Sequence, residues 1–270
     1  MAIPVILVAA LGVVPFLGRN LCAEDVEWQE KKSTHFIVYS APDIEKGYVD
    51  KVISTAEKYY HSLEDKLGFR RFNYWTWEKR VKIYIYSDKA SYLEVSGRPE
   101  WSGGSVDIAN KIIESYYWED FFFERMLPHE LAHIVFREYI GQKTSLPLWL
   151  DEGFACFNEQ DYSQRYVRRV LLWVKNGKAP IDYNILNDFT QQGIHTAPSE
   201  SSMAHYYYSV SLVDYLWQAF GRDKFRKFCK AIKEEGNSAQ EALFSVYQFK
   251  DTGELNKGWT DYLLSQREIE

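Results

Sequence analysis

The chain has 270 residues, of which 46% are hydrophobic and 26% charged, and its formal net charge is −6 at pH 7. This balance is typical of an ordinary globular protein and gives no indication of disorder. Positive and negative charges are mixed along the chain, without a basic stripe or zinc-finger spacing, so we expect no nucleic-acid partner. The aromatic content of 17% is high, and rings that fill a core and line a cleft account for it.

The start of the chain has the pattern of an export signal. Ile3 to Gly18 is almost wholly apolar and shorter than the roughly 20 residues that span a bilayer, and Ala23 offers a small residue before a cut at Glu24. Residues 1–23 are therefore predicted to be a signal peptide, and the protein to be exported to the periplasm or the cell exterior. Because no Lys or Arg precedes the apolar run, an uncleaved membrane anchor stays an alternative, and a lipid anchor at Cys22 is a weaker one.

Cleavage before Glu24 would leave Cys156 and Cys229 as the only cysteines. An exported protein could pair them, but two lone cysteines are more often small buried residues. Buried thiols are the favoured expectation, and the pairing is left open.

Residues 24–160 have the pattern of an α/β lobe. Strand composition marks His35–Tyr39 and Val81–Tyr86, with a helix from Ile44 to Leu67 between them. The pattern then predicts a short helix (Lys89–Val95), a turn (Ser102–Ser105), a strand (Ile108–Ile113) and a helix from Trp118 to Ile140, in which Pro128 begins or kinks the winding.

Residues 161–270 show only helical patterns, which predicts a helical lobe and an α+β protein. The predicted helices are Tyr166–Lys175, Tyr206–Phe220, Asp223–Glu235, Ala239–Tyr247 and Trp259–Gln266. The polar segment Thr190–Met203 is predicted to be a connecting loop, with a lid as the alternative. A cleft is expected between the two lobes.

The most specific motif is His129-Glu130-Leu131-Ala132-His133. Two histidines four residues apart share one face of a helix, so both imidazoles can reach one metal ion. Glu130 projects beside them, and its carboxylate can take a proton from a metal-activated water. The motif therefore predicts a zinc site with Glu130 as general base. The alternative is a pair of surface histidines beside a solvated acid.

A catalytic zinc keeps three protein ligands and one open position. Glu152, in Leu150-Asp151-Glu152-Gly153-Phe154-Ala155, follows His133 after eighteen residues. It lies among large apolar residues, where an unpaired carboxylate would be costly to bury and a metal would remove that cost. Glu152 is our candidate for the third ligand.

The combination of HExxH, an eighteen-residue gap and Glu-Gly-Phe-Ala resembles the gluzincins, the clan that contains thermolysin and aminopeptidase N. A metzincin would need Gly at position 136 and His at position 139, where this chain has Phe136 and Tyr139. The resemblance implies a thermolysin-like zincin, with a strand-containing lobe, a central HExxH helix and a helical lobe.

The same resemblance extends to Tyr206, at the head of an apolar helix. Aminopeptidase-type gluzincins carry a tyrosine here whose phenol faces the zinc, which implies that Tyr206 donates a hydrogen bond to the oxyanion of the tetrahedral intermediate. His205, Tyr207 and Tyr208 are competing assignments.

Two departures from these relatives limit the comparison. Where the aminopeptidases have a Gly-x-Met-Glu-Asn strand that holds the substrate's amino terminus, this chain has Gly104-Ser105-Val106-Asp107-Ile108, in which only Asp107 could imitate the glutamate. Thermolysin has an aspartate one turn after its third ligand, and this chain has Cys156 there. Removal of single amino-terminal residues is therefore not supported.

Together these features predict an exported zinc metallopeptidase, an endopeptidase with one Zn2+ ion and a peptide or protein substrate. It would touch a membrane only through residues 1–23, if they are not cleaved. The alternatives are a catalytically silent zincin-fold scaffold of the cell envelope and a membrane-tethered peptidase with one dedicated partner.

Overall fold

In a computed structural model of the chain, the described residues are 27–68, 79–98, 100, 102–177, 181–190, 192–193 and 198–266. They fall into two compact units, one of residues up to 134 without 66–68, the other of residues 66–68 and those from 135 onward. The predicted signal peptide lies outside the described residues, and the predicted domain boundaries stay a prediction. Among the described residues, none of the helices combines the length and apolar character needed to cross a membrane.

The first unit contains a five-stranded mixed sheet. Its strands are β1 (Gln29–Lys32), β2 (Phe36–Ser40), β3 (Val81–Tyr86), β4 (Gly104–Asp107) and β5 (Ile112–Tyr116). In space the order is β1-β2-β3-β5-β4, with parallel pairs in the centre and an antiparallel pair at each edge. In β3, buried Val81, Ile83 and Ile85 alternate with half-buried side chains, which confirms the strand predicted from this alternation.

Two helices accompany the strands of this unit, α1 (Lys46–Leu67) and α2 (Lys89–Ser96). Buried residues recur along α1 every three or four positions, at Val49, Val52, Ala56, Tyr60 and Leu63, which is the spacing of a single helix face. Gly97 ends α2 in the left-handed conformation, with a φ of 62°, which glycine adopts at little cost.

Two local predictions in the first unit are wrong. Gly104 and Ser105 belong to β4 rather than to a turn, and the start of the predicted strand Ile108–Ile113 is the turn between β4 and β5. The Asp107 carboxylate accepts hydrogen bonds from the backbone N–H (3.0 Å) and the side-chain amide (2.7 Å) of Asn110. These hydrogen bonds form an Asx turn, which gives the backbone an alternative to pairing with a neighbouring strand. The segment therefore turns here although its residues are apolar.

The HExxH residues lie on α3 (Leu127–Ile140), which a π-helix at Phe122–Met126 precedes. Helical structure begins at residue 120, so the prediction that it begins at Trp118 is wrong by two residues. The Leu127 N–H donates to the Phe122 carbonyl, while Pro128 has no N–H to donate to the preceding turn. The winding therefore changes where Pro128 stands.

The described part of the second unit contains helices and no strand, as its sequence predicts. They are α4 (Leu148–Phe157), α5 (Gln160–Lys175), α6 (Tyr183–Asp188), α7 (Ser199–Phe220), α8 (Arg222–Glu235), α9 (Ala239–Tyr247) and α10 (Thr252–Ser265).

Three helix starts in this unit differ from the predictions. The loop predicted for Thr190–Met203 is wrong from Ser199 onward, because α7 begins directly after Pro198. α5 begins at Gln160 rather than at Tyr166. α10 begins seven residues before Trp259, where the Asp251 carboxylate accepts from the Glu254 N–H and caps the helix. At α10 this cap fixes the start of the helix more strongly than the apolar pattern does.

α4 and α7 approach each other closely at Gly153. A Cβ atom on Gly153 would lie 2.6 Å from the Ser209 carbonyl oxygen, so only glycine fits without movement of the backbone. The Phe154 ring stacks on Phe136 at 4.5 Å and on Phe225 at 5.9 Å between centroids. Cys156 and Cys229 are buried and form no disulfide with each other, as favoured from the sequence.

Candidate metal centre

His129 and His133 lie one turn apart on α3, with exposed fractions of 2% and 0%. Their Nε2 atoms are 3.1 Å apart. Two nitrogens that each lie about 2.0–2.1 Å from one tetrahedral zinc would be roughly 3.3 Å apart. The pair therefore has the spacing of two ligands of a single zinc ion.

Glu130 follows His129 in the first turn of α3 and is fully buried. Burial of a carboxylate requires compensating groups around it. Glu130 therefore lies next to His129 in the chain and away from bulk water, and its role as general base stays a prediction.

Glu152 lies on α4, in a run from Leu148 to Cys156 in which every residue is buried. The Glu152 side chain is therefore not exposed to solvent, and the two histidines are buried as well. The alternative of surface histidines beside a solvated acid is therefore wrong.

Three groups of His, Cys, Asp and Glu side chains among the described residues could hold a metal ion. One group is His129, His133 and Glu152, the three ligands that the sequence predicts. Two imidazoles and one carboxylate are a common ligand set of catalytic zinc sites. A second group combines His129 with Cys156 and Glu159, and the third lies elsewhere, at His35, Glu57 and His61.

The second unit fixes α4 against the carboxyl-terminal half of α3. Arg137 Nε and Nη2 lie 2.9 and 2.7 Å from Asp151 Oδ2. The Phe136 ring stacks on Phe154. Asp151 directly precedes Glu152, and Arg137 lies one turn after His133. The sequence analysis did not predict this ion pair. Its only signals in the sequence were the acidic residue directly before Glu152 and the basic residue four positions after His133.

His205, on α7, is a buried histidine that faces the charge of Glu152. Burial lowers the pKa of His205 to about 4, and the negative charge of Glu152 acts in the opposite direction. The imidazole is therefore neutral near pH 7. Its Nε2 atom has no hydrogen-bond partner among the described residues, and its ring stacks on Phe189 at 4.8 Å.

The three tyrosines that follow His205 have different surroundings. Tyr206 packs against the buried cluster of Cys156, Tyr166 and Val210. Tyr207 stacks on the Tyr166 ring at 5.0 Å. Burial raises the pKa of Tyr208 to about 12. The charge of Glu152 acts on His205, and the assignment of Tyr206 as the oxyanion donor stays a prediction.

A cavity of about 300 Å³ lies beside His205 within the second unit. Its walls are mostly apolar and come from α6, α7 and α10: Asp182, Ile185, Leu186, Phe189, Ser201, Ala204, His205, Tyr208 and Trp259. The sequence did not indicate this cavity, because residues far apart in the chain form its walls.

A family model described as the Peptidase MA superfamily matches residues 74–265. The chain belongs to the Peptidase MA superfamily. The match covers the π-helix, α3, α4 and nearly all of the helical unit, and it confirms the resemblance to gluzincins. A comparison with curated protein sequences gives no match.

Solved structures similar to this Peptidase MA protein include native yeast LTA4 hydrolase, at 15% sequence identity and a TM-score of 0.51. Leukotriene A4 hydrolase from Saccharomyces cerevisiae matches at 16% identity and a TM-score of 0.50. Each match covers 90% of this chain, and the chain spans 40% and 39% of those structures. The likeness shows a zincin fold of the α+β class, as predicted.

Membership of the Peptidase MA superfamily supports a metallopeptidase-type function for this protein. Zinc is the metal that the gluzincin clan implies in general, and peptides or proteins are the substrates that the family suggests. The buried His and Glu groups provide a candidate position for such an ion.

Proposed function

We propose that this Peptidase MA protein is an exported zinc endopeptidase in which His129, His133 and Glu152 hold one Zn2+ ion. The observation that carries the proposal is the buried histidine pair with its Nε2 atoms 3.1 Å apart, in a candidate metal group with Glu152. The ion pair between Arg137 and Asp151 supports it, because this pair holds Glu152's helix against the carboxyl-terminal half of α3.

Zinc, when bound, would supply the positive charge that activates a water molecule and polarises the carbonyl of the scissile bond. Glu130 would take the proton from the attacking water and then donate it to the leaving amine. Its burial supports this role, since a general base works best when bulk water does not compete for the proton.

The oxyanion that forms on the carbonyl needs a hydrogen-bond donor. We assign this role to Tyr206 on the gluzincin pattern, with His205 as the competing donor. A neutral imidazole can donate one hydrogen bond, and the buried, neutral state of His205 supports this alternative. A well-placed donor contributes several kcal/mol to stabilisation of the transition state.

The cavity beside His205 supports a preference for a large apolar side chain in the substrate. Its volume of about 300 Å³ lies at the lower end of the range of ligand pockets. Leu186, Phe189 and Trp259 provide apolar walls. We expect the substrate residue that occupies this cavity to be aliphatic or aromatic.

Internal cleavage is favoured over removal of amino-terminal residues. An aminopeptidase needs a carboxylate for the free amine of its substrate, and Asp107 was the candidate for that role. The Asp107 carboxylate accepts two hydrogen bonds from Asn110 within the β4–β5 turn. This engagement supports an endopeptidase.

The proposal that the protein is exported rests on residues 1–23, which have the pattern of a signal peptide. If these residues are retained, they provide its contact with the membrane. The intact mass of the mature protein distinguishes the two forms.

The test is cleavage of a mixed-length peptide library by the zinc-loaded chain from Glu24 onward, with products identified by mass spectrometry. Glu130→Gln is the matched blank, since it keeps the shape of the side chain and removes the base. We expect internal cuts that are absent from the blank, next to apolar residues. Equal cleavage by both proteins contradicts the proposal, and zinc binding without cleavage favours a scaffold.

A further inference from the structure

The third candidate metal group lies wholly within the first unit. His35 directly precedes β2, while Glu57 and His61 occupy neighbouring turns of α1. Each offers a ligand atom, and these atoms all lie within 4.8 Å of one another. The group shares no residue with the other two candidate groups.

The contact between His35 and Glu57 is short and directional. His35 Nδ1 lies 2.6 Å from Glu57 Oε2, and the His35 backbone N–H donates to Glu57 Oε1 at 2.9 Å. A ring nitrogen and a carboxylate oxygen at this distance repel each other unless a proton or a cation neutralises their lone pairs. The Tyr60 ring stacks on His35 at 4.1 Å and holds its orientation.

His61 completes the group from the solvent side. Its ring lies 5.5 Å from that of His35, at an interplanar angle of 86°. His61 Nδ1 lies 3.1 Å from Glu64 Oε2, so Glu64 can accept the Nδ1 proton and leave the Nε2 lone pair available for a cation. Metal-binding histidines usually have such a partner on their second nitrogen.

The three side chains differ in solvent exposure, and the most exposed one gives a metal ion a path into the group. The His61 side chain is 62% exposed, while those of His35 and Glu57 are 14% and 20% exposed. An ion can reach the group past His61 and replace the proton between His35 and Glu57. Their ligand atoms would then move slightly apart, because two ligand atoms of one tetrahedral zinc lie roughly 3.3 Å from each other.

We propose that His35, Glu57 and His61 form an accessory site for a divalent transition-metal ion, with zinc as the expected occupant. Two imidazoles and one carboxylate suit zinc, and the exposed side of the group leaves room for a water as fourth ligand. The ion would link the start of β2 to α1, and its role is structural because the proposed catalytic residues lie elsewhere.

The test compares full-length wild type with His61→Ala and a matched control, Ser62→Ala, which changes the next exposed residue of α1. Metal-free proteins are titrated with Zn2+ against a chromogenic chelator, and the zinc bound per chain is counted. We expect wild type and Ser62→Ala to bind one zinc more per chain than His61→Ala. This difference does not depend on whether the HExxH site binds metal.

A second readout is thermal unfolding. Added Zn2+ should raise the Tm of the His129→Ala/His133→Ala protein, and the further change His61→Ala should abolish that rise, because an ion that binds only the folded state stabilises it. Equal zinc binding by wild type and His61→Ala would overturn the proposal. The contact between His35 and Glu57 would then be a proton-mediated hydrogen bond.

Discussion

Arg137 and Asp151 form an ion pair between α3 and α4, in which two guanidinium nitrogens lie within 2.9 Å of one carboxylate oxygen. The Asp151 side chain is completely buried, and that of Arg137 is 19% exposed. Arg137 also donates to the Thr144 carbonyl, in the loop between the two helices. The arrangement ties the sequence neighbour of Glu152 to the carboxyl-terminal half of α3.

Arg137→Ala is expected to lower the free energy of unfolding of the metal-free protein by about 3 to 5 kcal/mol, since it removes the guanidinium from a buried carboxylate. Urea unfolding followed by circular dichroism measures the change. Arg168→Ala, at an exposed position of α5, is the control and should change stability by less than about 0.5 kcal/mol. Equal stability of the two variants would show that the ion pair does not contribute to the free energy of unfolding.

Gly153→Ala is expected to destabilise the protein by roughly 1 to 3 kcal/mol, the usual cost of overpacking. The added methyl group would lie 2.6 and 2.8 Å from backbone atoms of Ser209. α4 would have to shift to relieve this clash, and Glu152, the residue before Gly153, would move with it. Gly47→Ala in α1 is the matched control, because nothing lies within 4 Å of its Cβ position. The control should gain up to about 1 kcal/mol from helix propensity, and a similar gain for Gly153→Ala would exclude the close approach of α4 and α7.

The sequence predicted most of this fold because its signals are local. Alternating apolar residues predict β3, and apolar residues spaced three to four positions apart predict α1. The structure contains both elements. The errors occur where a side chain competes with the apolar pattern. The Asp107 carboxylate turns the chain inside the predicted strand Ile108–Ile113, and the Asp251 cap starts α10 seven residues before Trp259.

The candidate site was predictable only in part. His129, Glu130 and His133 stand close together in the sequence, so their spacing alone suggests a metal. The Arg137–Asp151 pair, the cavity beside His205 and the group at His35, Glu57 and His61 depend on tertiary packing. No spacing rule joins residues that only the folded chain brings together.

Tyr206→Phe is expected to lower kcat for peptide cleavage about 10²-fold with little change in KM, because the lost hydrogen bond forms mainly in the transition state. Tyr207→Phe is the control and should keep wild-type kinetics, since the Tyr207 ring stacks on Tyr166. Steady-state kinetics on one cleaved peptide measure both. If His205→Gln lowers kcat and Tyr206→Phe does not, the oxyanion role belongs to His205.

Ala204→Phe is expected to fill much of the cavity beside His205, whose wall includes Ala204. Cleavage next to large apolar residues should fall, while cleavage next to small residues should persist, since only the large side chains need the space. Ala204→Ser keeps the size of the side chain and is the control. Competition between peptides that differ only at this residue gives the ratio of kcat/KM, and an unchanged ratio would place the specificity pocket elsewhere.

The stability of the protein against unfolding is expected to depend on pH through Glu57. Burial by itself would raise the pKa of Glu57, but hydrogen bonds from the His35 ring and backbone outweigh it and lower the pKa to about 2. The folded protein therefore holds this carboxylate ionised where the unfolded chain would protonate it. Its stabilising contribution is complete above the unfolded pKa of about 4.5 and is lost as the pH falls toward the folded value. The difference in stability between metal-free wild type and Glu57→Gln, measured by urea unfolding, should therefore shrink as the pH falls from about 5 to about 2. A constant difference over that range would mean that Glu57 acts through its shape rather than its charge.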